Sequence, residues 1–566
     1  MNIKDEIPQG KKGQFVALDI EMFNQELKRL HRPHGDFACI SIALEGDPDV
    51  YQIYDTKQLK KLFSSLSPCI WVLHNATYDL RQLRRWAEIK PRFIWDVMLV
   101  EQSMTGGLFL EYNLQALVRR RLGRHMEKGE RKSFIDAQEM TPDMKKYAAI
   151  DALYTLELAL TQRDIFETDP SFRIYKEIDQ NMIFPVLDMP GVPVDVEAWK
   201  KVVEGFASKA RDLEAELGVN VMAPAQVKLM AKKHGINLQS TGADVLAEFA
   251  DNPFIAGVLE TRMYRKAVST YGEKWLTNVE ADGKVYPNFN ISRAETGRMS
   301  SNNPNIQQIP QRKLPVYRTL FVPSKGGIMT VQDVSQQEPS ILAFMTKDPE
   351  LVSAIKNKED LHLKVAQAIF NDPKMKKEDS RRAVGKMINL GTSYGLSAYG
   401  LSAKINVPLE EAEKFLQAYF RRFSGVHSWI TQQRAFAYRN GFVSTPYGRK
   451  IHVNLYSMQW ENNSINAPIQ GGAADFTKMW IHNYWRNCMS AGIPYALCAP
   501  VHDELVMDVQ RAVFKENLKA SNDAFQETAE KIYPGIPMRV DTEQGKSWAC
   551  KSISTEFVDM EEGEDE

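Results

Sequence analysis

The sequence predicts a multidomain protein in which an α/β domain precedes a larger α+β region. Strand-like apolar runs alternate with helical patterns from residue 13 to about 161, as in a partly parallel sheet. Beyond residue 195, long helical patterns are separated by short strand-like runs, two of which end on carboxylates. The 566 residues are enough for roughly three or four domains of ordinary size.

The predicted elements follow one another in a clear order. The first domain contains the strand-like run QFVALDI, then ACISIAL, the helical KQLKKLFSSL, the strand-like CIWVLH and the helical TYDLRQLRRWAEI. A helical linker from about Arg163 to Asp188 leads into MPGVPVD, whose prolines and glycine mark a domain boundary. Residues 195–280 predict long polar helices, 285–333 short strands and turns, and 350–440 further helices. After TPYGRK, the segment SINAPIQGGAADFTKMWIHNYW predicts a helix that precedes a strand pair near residue 503.

The composition argues against several classes of protein. The apolar fraction of 43% is that of a globular protein, and the formal net charge of −1 lacks the basic excess of nonspecific nucleic-acid binders. The five cysteines have no C-x-x-C spacing, so neither a zinc site nor a disulfide framework is indicated. The N-terminal residues are polar, and no apolar run approaches membrane-spanning length. We therefore expect a soluble, cytoplasmic protein with reduced thiols and no membrane partner.

An acidic set lies near the N-terminus. Asp19 and Glu21 in QFVALDIEMF are two apart on a strand and share a face, and Tyr147 and Asp151 are four apart on a helix and also share a face. Asp79 in HNATYDL completes the set, so four carboxylates and one phenol can converge. Asp19 and Glu21 alone would be a weak signal, since a chain of this length should contain about two D-x-E triplets by chance.

Two further acidic clusters lie far apart in the chain. Asp333 ends the strand-like run in GGIMTVQDVSQQE, and Asp503 and Glu504 are adjacent in LCAPVHDELVMDV. Magnesium ions prefer hard oxygen ligands and keep part of their coordination shell for substrate phosphates. These strand-end carboxylates predict a site for two Mg²⁺ ions, with Mn²⁺ as a substitute, in an enzyme that acts on phosphates.

A helical segment between these clusters has the features of a nucleotide-binding surface. RRAVGKMINLGTSYG places Arg382, Lys386, Leu390 and Tyr394 at four-residue steps along one helix face. Two cations, an apolar residue and an aromatic residue would meet, in order, a triphosphate, a sugar and a base. Taken alone, the segment is better explained as an amphipathic helix with solvated cations; the acidic clusters on either side favour the nucleotide.

In these motifs the chain resembles the family A DNA polymerases, the DNA polymerase I type. The resemblance covers nearly the whole chain through, in order, three exonuclease motifs, TGRMSSNNPNIQQIP, DVSQQE, the R-x-x-x-K-x-x-x-L-x-x-x-YG helix, NAPIQGGAAD and VHDE. It implies an RNase H-like 3′-5′ exonuclease domain followed by a right-hand polymerase domain. The implied boundaries are 1–165 for the exonuclease domain, 166–190 for a helical linker and 191–566 for the polymerase domain, with the thumb at about 191–290, the palm at about 291–345 and 430–550, the fingers at about 346–429 and an acidic tail at 553–566.

For the polymerase domain, the resemblance implies two-metal phosphoryl transfer on primer-template DNA with deoxynucleoside triphosphates. Asp333 and Asp503 would bind the metals, and Lys386 would stabilise or protonate the leaving group. Glu504 would point elsewhere on its strand and support the site. The nucleotide-binding residues would be Arg382, His362, Tyr394, Leu390, Glu338 and Gln336, with Glu338 filling the space that a ribose 2′-hydroxyl needs. The DNA contacts would come from Arg298, Asn466, Gln470 and His502.

For the N-terminal domain, the resemblance implies 3′-5′ proofreading. Two metals would be held by Asp19, Glu21, Asp79 and Asp151. Tyr147 would orient the attacking water. Asn75 in HNATYD would touch the frayed strand.

The chain departs from the family pattern in several places. Leu390 stands where an aromatic residue is usual, Val334, Pro339 and Ser340 replace commoner residues beside the DVSQQE motif, and Asn462 replaces an arginine. Losing the aromatic surface at residue 390 should weaken packing on the sugar, since aromatic contacts add about 0.5–1.5 kcal/mol beyond their area.

The resemblance also suggests a biological setting. The proofreading motif begins at Asp19 and leaves no room for the 5′-nuclease domain of many bacterial members. We therefore expect a compact replicative enzyme of a phage, acting as a monomer in the host cytoplasm. The acidic tail EFVDMEEGEDE is interpreted as a solubilising segment, and docking to a phage helicase or primase is the sharper alternative.

Three other functions fit parts of the sequence. A dedicated 3′ exonuclease would not extend primers even with Asp333 and Asp503 intact. A template-reading RNA polymerase conflicts with Glu338 and has no need of the proofreading set. A noncatalytic single-strand binder has no reason to place acids where phosphates must come. The DNA polymerase ranks above all three.

Overall fold

The computed structural model describes residues 2–24, 33–89, 91–108, 110–126, 133–166 and 168–552. The acidic tail and its predicted docking role lie outside these residues. No helix in the described part of the chain combines the length and the apolar character that crossing a bilayer requires.

A six-stranded mixed sheet forms the centre of the N-terminal domain. Its strands are β1 (Ile3–Lys4), β2 (Phe15–Phe23), β3 (Asp36–Leu44), β4 (Val50–Ile53), β5 (Ile70–Leu73) and β6 (Ile94–Asp96), in the order β1-β4-β3-β2-β5-β6. β2, β5 and β6 are parallel, whereas β3 is antiparallel to β2 and to β4. The predicted partly parallel sheet is confirmed.

Helices cover this sheet and fix the positions of its acidic residues. They are α1 (Leu59–Leu66), α2 (Ala76–Leu83), α3 (Val97–Thr105), α4 (Leu114–Leu122) and α5 (Pro142–Phe166). α5 packs across β2 and β3. The buried carboxylate of Asp96 caps two helices at once, because it accepts from the backbone N–H groups of Ala76 (2.7 Å) at the start of α2 and of Met98 (2.9 Å) at the start of α3.

A helical connection links the two parts of the chain. It consists of α6 (Ser171–Ile174), a π-helical turn (Tyr175–Asp179), a 3₁₀ turn (Gln180–Met182) and α7 (Ile183–Leu187). The predicted turn follows at Gly191, whose φ of +80° is a conformation that glycine adopts readily.

The first part of the polymerase-like region is mainly helical. Its elements are β7 (Val192–Pro193), α8 (Val196–Leu217), α9 (Pro224–Lys233), α10 (Ala243–Ala247), α11 (Pro253–Tyr271), α12 (Glu273–Leu276), β8 (Lys284–Val285), β9 (Asn288–Asn290), β10 (Ser300–Asn302) and α13 (Val316–Thr319). α8 and α11 pack against each other along their length. The indole rings of Trp199 on α8 and Trp275 on α12 are stacked, with their centres 4.0 Å apart.

A five-stranded antiparallel sheet is the centre of the region, in the order β14-β15-β11-β16-β17. Its strands are β11 (Gly327–Val334), β14 (Leu497–Val501), β15 (Glu504–Gln510), β16 (Val540–Gly545) and β17 (Lys551–Ser552). The first six residues of β11 are buried, and they include the apolar Ile328, Met329 and Val331. The strand therefore brings its polar end, Asp333, to the edge of the core.

The remaining helices surround this sheet. They are α14 (Gln337–Thr346), α15 (Pro349–Lys356), α16 (Leu361–Ile369), α17 (Arg382–Ser393), α18 (Ala398–Ile405), α19 (Leu409–Arg422), α20 (Ser424–Asn440), α21 (Trp460–Ala491) and α22 (Phe514–Ile532), with a hairpin of β12 (Phe442–Ser444) and β13 (Lys450–His452) before α21. α21 and α22 pack side by side, and α16 packs on α17.

A buried ion network joins the two domains. The Arg449 guanidinium donates to Asp179 (2.9 Å) and to Asp475 (2.7 Å), and the Lys478 ammonium also donates to Asp179 (2.6 Å). The Ser103 hydroxyl of α3 donates to the same Asp179 carboxylate at 2.9 Å. One network therefore connects the N-terminal domain, the linker, the hairpin and α21.

Candidate functional site

The N-terminal acidic residues converge as predicted from their spacing. Ligand oxygens of Asp19 and Glu21 on β2 and of Asp151 on α5 all lie within 4.8 Å of one another. Three carboxylates at this separation repel one another unless cations or protons neutralise them, and their hard oxygens suit a divalent cation such as Mg²⁺.

Asp79 and Asn75 lie beside this cluster at the start of α2. Asp79 is buried and accepts from the backbone N–H of Ile20 at 3.2 Å, which places it next to the two β2 carboxylates. Asn75 has a left-handed φ of +63°, and its side-chain oxygen accepts from the Thr77 hydroxyl at 3.2 Å. Asn75 also lines a cavity of about 760 Å³ between the two domains.

Tyr147 lies one helical turn before Asp151 on α5. Burial, followed by the negative charges of Asp151 and Glu21, raises the pKa of the Tyr147 phenol well above its ordinary value. The phenol therefore stays protonated at neutral pH and can donate a hydrogen bond beside the carboxylates.

Asp333 and Asp503 come together at the end of the five-stranded sheet. Asp503 lies in the turn between β14 and β15, and its backbone carbonyl accepts from the N–H of Val334 at 3.3 Å. Both aspartates line one cavity of about 1010 Å³. Burial and the neighbouring charge of Asp503 raise the pKa of Asp333 to about 6. This local excess of negative charge suits a cation site.

Glu504 is expected to point elsewhere than its neighbour Asp503 and to support the site. Asp503 lies in the turn and only Glu504 is in β15, so strand alternation does not relate these two side chains. The register pairs Glu504 directly opposite Asp333, so both carboxylates are on the same side of the sheet. Arg318 binds Glu504 at 2.9 Å, and Glu504 is buried. Burial raises its pKa to about 7 despite this arginine. The ion pair with Arg318 favours a supporting role for Glu504 over direct metal binding.

The cations of α17 face a histidine of α16. The Arg382 guanidinium pairs with Asp360 at 2.7 Å, and Asp360 also caps α16 through the N–H of Leu363 (3.0 Å). His362 Nδ1 lies 3.2 Å from the Asn389 side-chain amide. Burial lowers the pKa of His362, and the positive charges of Arg382 and Lys386 lower it further. A neutral histidine and two cations therefore lie together.

The predicted helical face ends one residue early. α17 stops at Ser393, and Tyr394 caps it with an exposed ring. The Tyr394 hydroxyl donates to Glu338 at 2.9 Å, and Arg298 Nη2 lies 3.8 Å from the same carboxylate. Gln470 also interacts with the Tyr394 hydroxyl. Four residues predicted to contact nucleotide or DNA thus form one polar group.

The other predicted contact residues lie around this group. The Asn466 amide donates to the backbone carbonyl of Ser393 at 3.4 Å. His502 shares a small cavity with Arg298 and has a left-handed φ of +58°. Leu390 and Gln336 line the cavity that also contains Asp333 and Asp503.

The sequence reasoning missed several side chains at the site. Asp541 lies opposite Asp333 in β16, lines the same cavity and accepts from the Ser335 hydroxyl. Arg318 and Asp360 hold Glu504 and Arg382. No local pattern marks these residues, since VDTEQG is short and polar, and only the strand register and the helix packing bring them to the site.

Known proteins share both parts of the chain. A family model described as DNA polymerase family A matches residues 197–550, and one described as 3′-5′ exonuclease matches residues 4–163. Among solved structures, the POL domain of Pol1 from M. smegmatis in complex with DNA primer-template and dNTP has a TM-score of 0.81 at 25% identity, covering 95% of this chain and 96% of that chain.

Curated relatives include bacterial enzymes called DNA polymerase I. That of Aquifex aeolicus is 28% identical over 539 residues, which are 88% of this chain and 91% of the relative. Those of Chloroflexus aurantiacus and Bacillus subtilis are 29% and 30% identical over 71% and 70% of this chain, but over only 46% and 48% of their own lengths. The chain thus spans about half the length of these two and nearly all of the Aquifex relative.

Proposed function

Because the chain belongs to DNA polymerase family A, we propose that it extends DNA primers on a DNA template and removes mispaired nucleotides with its 3′-5′ exonuclease domain. One observation carries the synthetic part of this proposal: Asp333 and Asp503, 170 positions apart in the sequence, line one cavity. The N–H of Val334, next to Asp333, donates to the carbonyl of Asp503. The region between them supplies the cations that a triphosphate needs.

The carboxylates determine where the metals would be held. Asp333 and Asp503 would bind two Mg²⁺ ions in the polymerase domain, and Asp19, Glu21, Asp79 and Asp151 would bind two in the exonuclease domain. Bound there, such ions activate an oxygen nucleophile and neutralise the charge on the leaving group.

In the polymerase reaction, the primer 3′-oxygen forms a bond to the α-phosphorus and the bond from that phosphorus to the bridging oxygen breaks. The primer 3′-hydroxyl gives up its proton, and pyrophosphate leaves. Arg382 and Lys386 would hold the triphosphate, with Lys386 beside the leaving group. Neutral His362 can donate one hydrogen bond to a phosphate oxygen, because its Nδ1 is occupied by Asn389.

The polar group around Tyr394 would select the nucleotide. Its hydroxyl fixes the Glu338 carboxylate at 2.9 Å, so Glu338 cannot move aside freely for a ribose 2′-hydroxyl. Arg298, Gln470, Asn466 and His502 would then contact the minor groove of the new pair, where base-edge acceptors occupy similar positions in every correct pair.

In the exonuclease domain, the terminal phosphodiester would lie at the three converging carboxylates. Tyr147, protonated and next to Asp151, would donate to the attacking water or to a phosphate oxygen and so set its position. Asn75 would contact the displaced strand from the cavity between the domains.

The organisation and setting of the enzyme form part of the proposal. We retain 1–165, 166–190 and 191–566 as exonuclease, linker and polymerase segments, with the subdivisions given above, and a monomer as the working form. Replication of phage DNA in a host cytoplasm remains a prediction, because the relatives compared are bacterial and the Aquifex enzyme is of similar length. Docking of a helicase or primase at the acidic tail also remains a prediction.

Primer extension on a recessed template with Mg²⁺ tests the proposal. The parent protein should add deoxynucleotides up to the template end, and Asp333→Asn should lose at least about 99% of this rate, as expected when a metal ligand is removed. The matched control is Asp523→Asn, since Asp523 is an exposed carboxylate on α22 whose one ion pair among the described residues is with Lys519, one helical turn away. Extension by Asp333→Asn at the control's rate would refute the proposed synthetic centre.

A further inference from the structure

The cavity beside Asp333 and Asp503 contains two cations that the proposed reaction does not use. Lys358 and Arg539 line it together with Asn522 and Gln526 of α22. Leu390 of α17 also lines the cavity, but Arg382 and Lys386 are not among the described residues that do. Lys358 and Arg539 are therefore a second pair of cations near the carboxylates, separate from the pair assigned to the incoming triphosphate.

The side chain of Arg539 and the backbone of Lys358 meet at one backbone oxygen. The Arg539 guanidinium donates from Nη2 to the Ile355 carbonyl at 2.7 Å, and the backbone N–H of Lys358 donates to the same oxygen at 3.3 Å. Arg539 is also tied to the strand that carries Asp333, because its carbonyl accepts from the N–H of Ser335 at 3.0 Å. Backbone groups therefore connect Lys358 and Arg539 to each other and to the end of β11.

Neither cation forms an ion pair within the described residues, although most arginines of the neighbouring helices do. A cation that lines a cavity without an ion pair can attract an anion that enters the cavity. Lys358 has a φ of +56°, the left-handed conformation with which helices commonly end, two residues after α15.

From this arrangement we propose that Lys358 and Arg539 bind the pyrophosphate that leaves after each nucleotide addition. This inference rests on the proposed polymerase function. When the bond between the α-phosphorus and the bridging oxygen breaks, the bridging oxygen keeps the electron pair, and pyrophosphate carries this new negative charge in addition to those of its terminal phosphates. The two cations line the same cavity as Asp333 and Asp503, so they can receive this anion as it moves away from the primer end.

Product inhibition by pyrophosphate tests the assignment. Extension is measured in an Asp19→Ala background, which lacks the proposed degradative activity, with free Mg²⁺ held constant because pyrophosphate binds the ion. Lys358→Gly removes the charge and relieves the strained backbone, and Arg539→Gln retains a donor for the Ile355 carbonyl. The matched control is Lys347→Gly, because Lys347 is exposed, has a left-handed φ of +50° and is not among the lining residues.

We expect the inhibition constant of pyrophosphate to rise about tenfold in Lys358→Gly and in Arg539→Gln, the loss typical of one charge-assisted contact. The KM for deoxynucleotide should change by less than about threefold, and Lys358→Arg and Lys347→Gly should behave like the parent. Unchanged inhibition in both variants would overturn the inference, as would an equal rise in KM for deoxynucleotide, which would assign the cations to the incoming triphosphate. A parent that does not extend primers would instead refute the proposed function.

Discussion

Asp333 and Glu504 are opposite each other in the sheet, yet their surroundings give them different roles. Glu504 is buried against Arg318, whose guanidinium lies 4.4 Å from the centre of the Trp548 ring. Asp333 faces the open cavity and has Asp503 and Asp541 as its neighbours. The sequence could predict that acidic residues end these strands, but the arginine and the third aspartate come from distant segments.

The raised pKa of Asp333 predicts how its substitution affects stability. Its pKa in the folded protein is about 6, above the ordinary value for aspartate, so the folded state gives up this proton less readily than the unfolded chain does. Without metal, stability is therefore lost as the pH rises from about 4 to about 6. Asp333→Asn removes this loss.

Thermal unfolding in EDTA checks this prediction at the residue scale. The midpoint temperature of unfolding of Asp333→Asn should exceed that of the parent protein by more at pH 7.5 than at pH 4.5. Asp523→Asn, a substitution of an exposed aspartate, should show no such pH-dependent difference. If Asp333→Asn raised the midpoint temperature equally at both pH values, the raised pKa of Asp333 would be contradicted.

At the scale of elements, helices and strands with a regular residue pattern could be predicted. The residues at which they end, and the elements with which they pair, could not. The four-residue spacing of RRAVGKMINLGTSYG predicted α17, because it places two cations and an apolar residue on one helix face. α17 ends at Ser393 because Gly395 has a left-handed φ of +71°, and the N–H groups of Gly395 and Leu396 donate to carbonyls of the last helical turn. The hydroxyl of Tyr394 donates to Glu338. β16 could not be predicted, since VDTEQG lacks apolar alternation and is a strand only through its pairing with β11.

The network around Arg449 joins several elements and supports the loop that carries Arg298. A Cβ at Gly297 would lie 2.8 Å from Arg449 Nε, so the arginine packs directly against this glycine. Burial lowers the pKa of Lys478 to about 8, and the lysine remains paired with Asp179. No pattern in TPYGRK indicates that it contains the central cation of a buried network.

Removing Arg449 should therefore destabilise the protein strongly. Arg449→Met leaves the Asp179 and Asp475 carboxylates buried without their main partner, which should cost about 3–5 kcal/mol of unfolding free energy. Arg486→Met is the matched control: Arg486 pairs with Glu527 at the surface, and such pairs contribute about 0–1 kcal/mol. Urea denaturation measures both. Similar losses for the two variants would show that the buried network is not a major source of stability.

For the whole molecule, the sequence predicted two acidic centres in two domains, and the structure brings the members of each together. The spacing of Asp19 and Glu21 on one strand and of Tyr147 and Asp151 on one helix was sufficient for the N-terminal cluster. The meeting of Asp333 and Asp503 could be expected only from the family resemblance, because the folding of 169 intervening residues determines it. No residue pattern in the sequence predicts that Asp179 connects the two domains.

The central claim is that synthesis and degradation take place at separate carboxylate sites. The most direct measurement follows one labelled primer-template with Mg²⁺, with and without deoxynucleotides, in the parent, Asp503→Ala and Asp19→Ala proteins. We predict that Asp503→Ala loses extension but still shortens the primer from its 3′ end, whereas Asp19→Ala extends the primer but no longer shortens it. Loss of both activities in either variant would contradict the division into two sites.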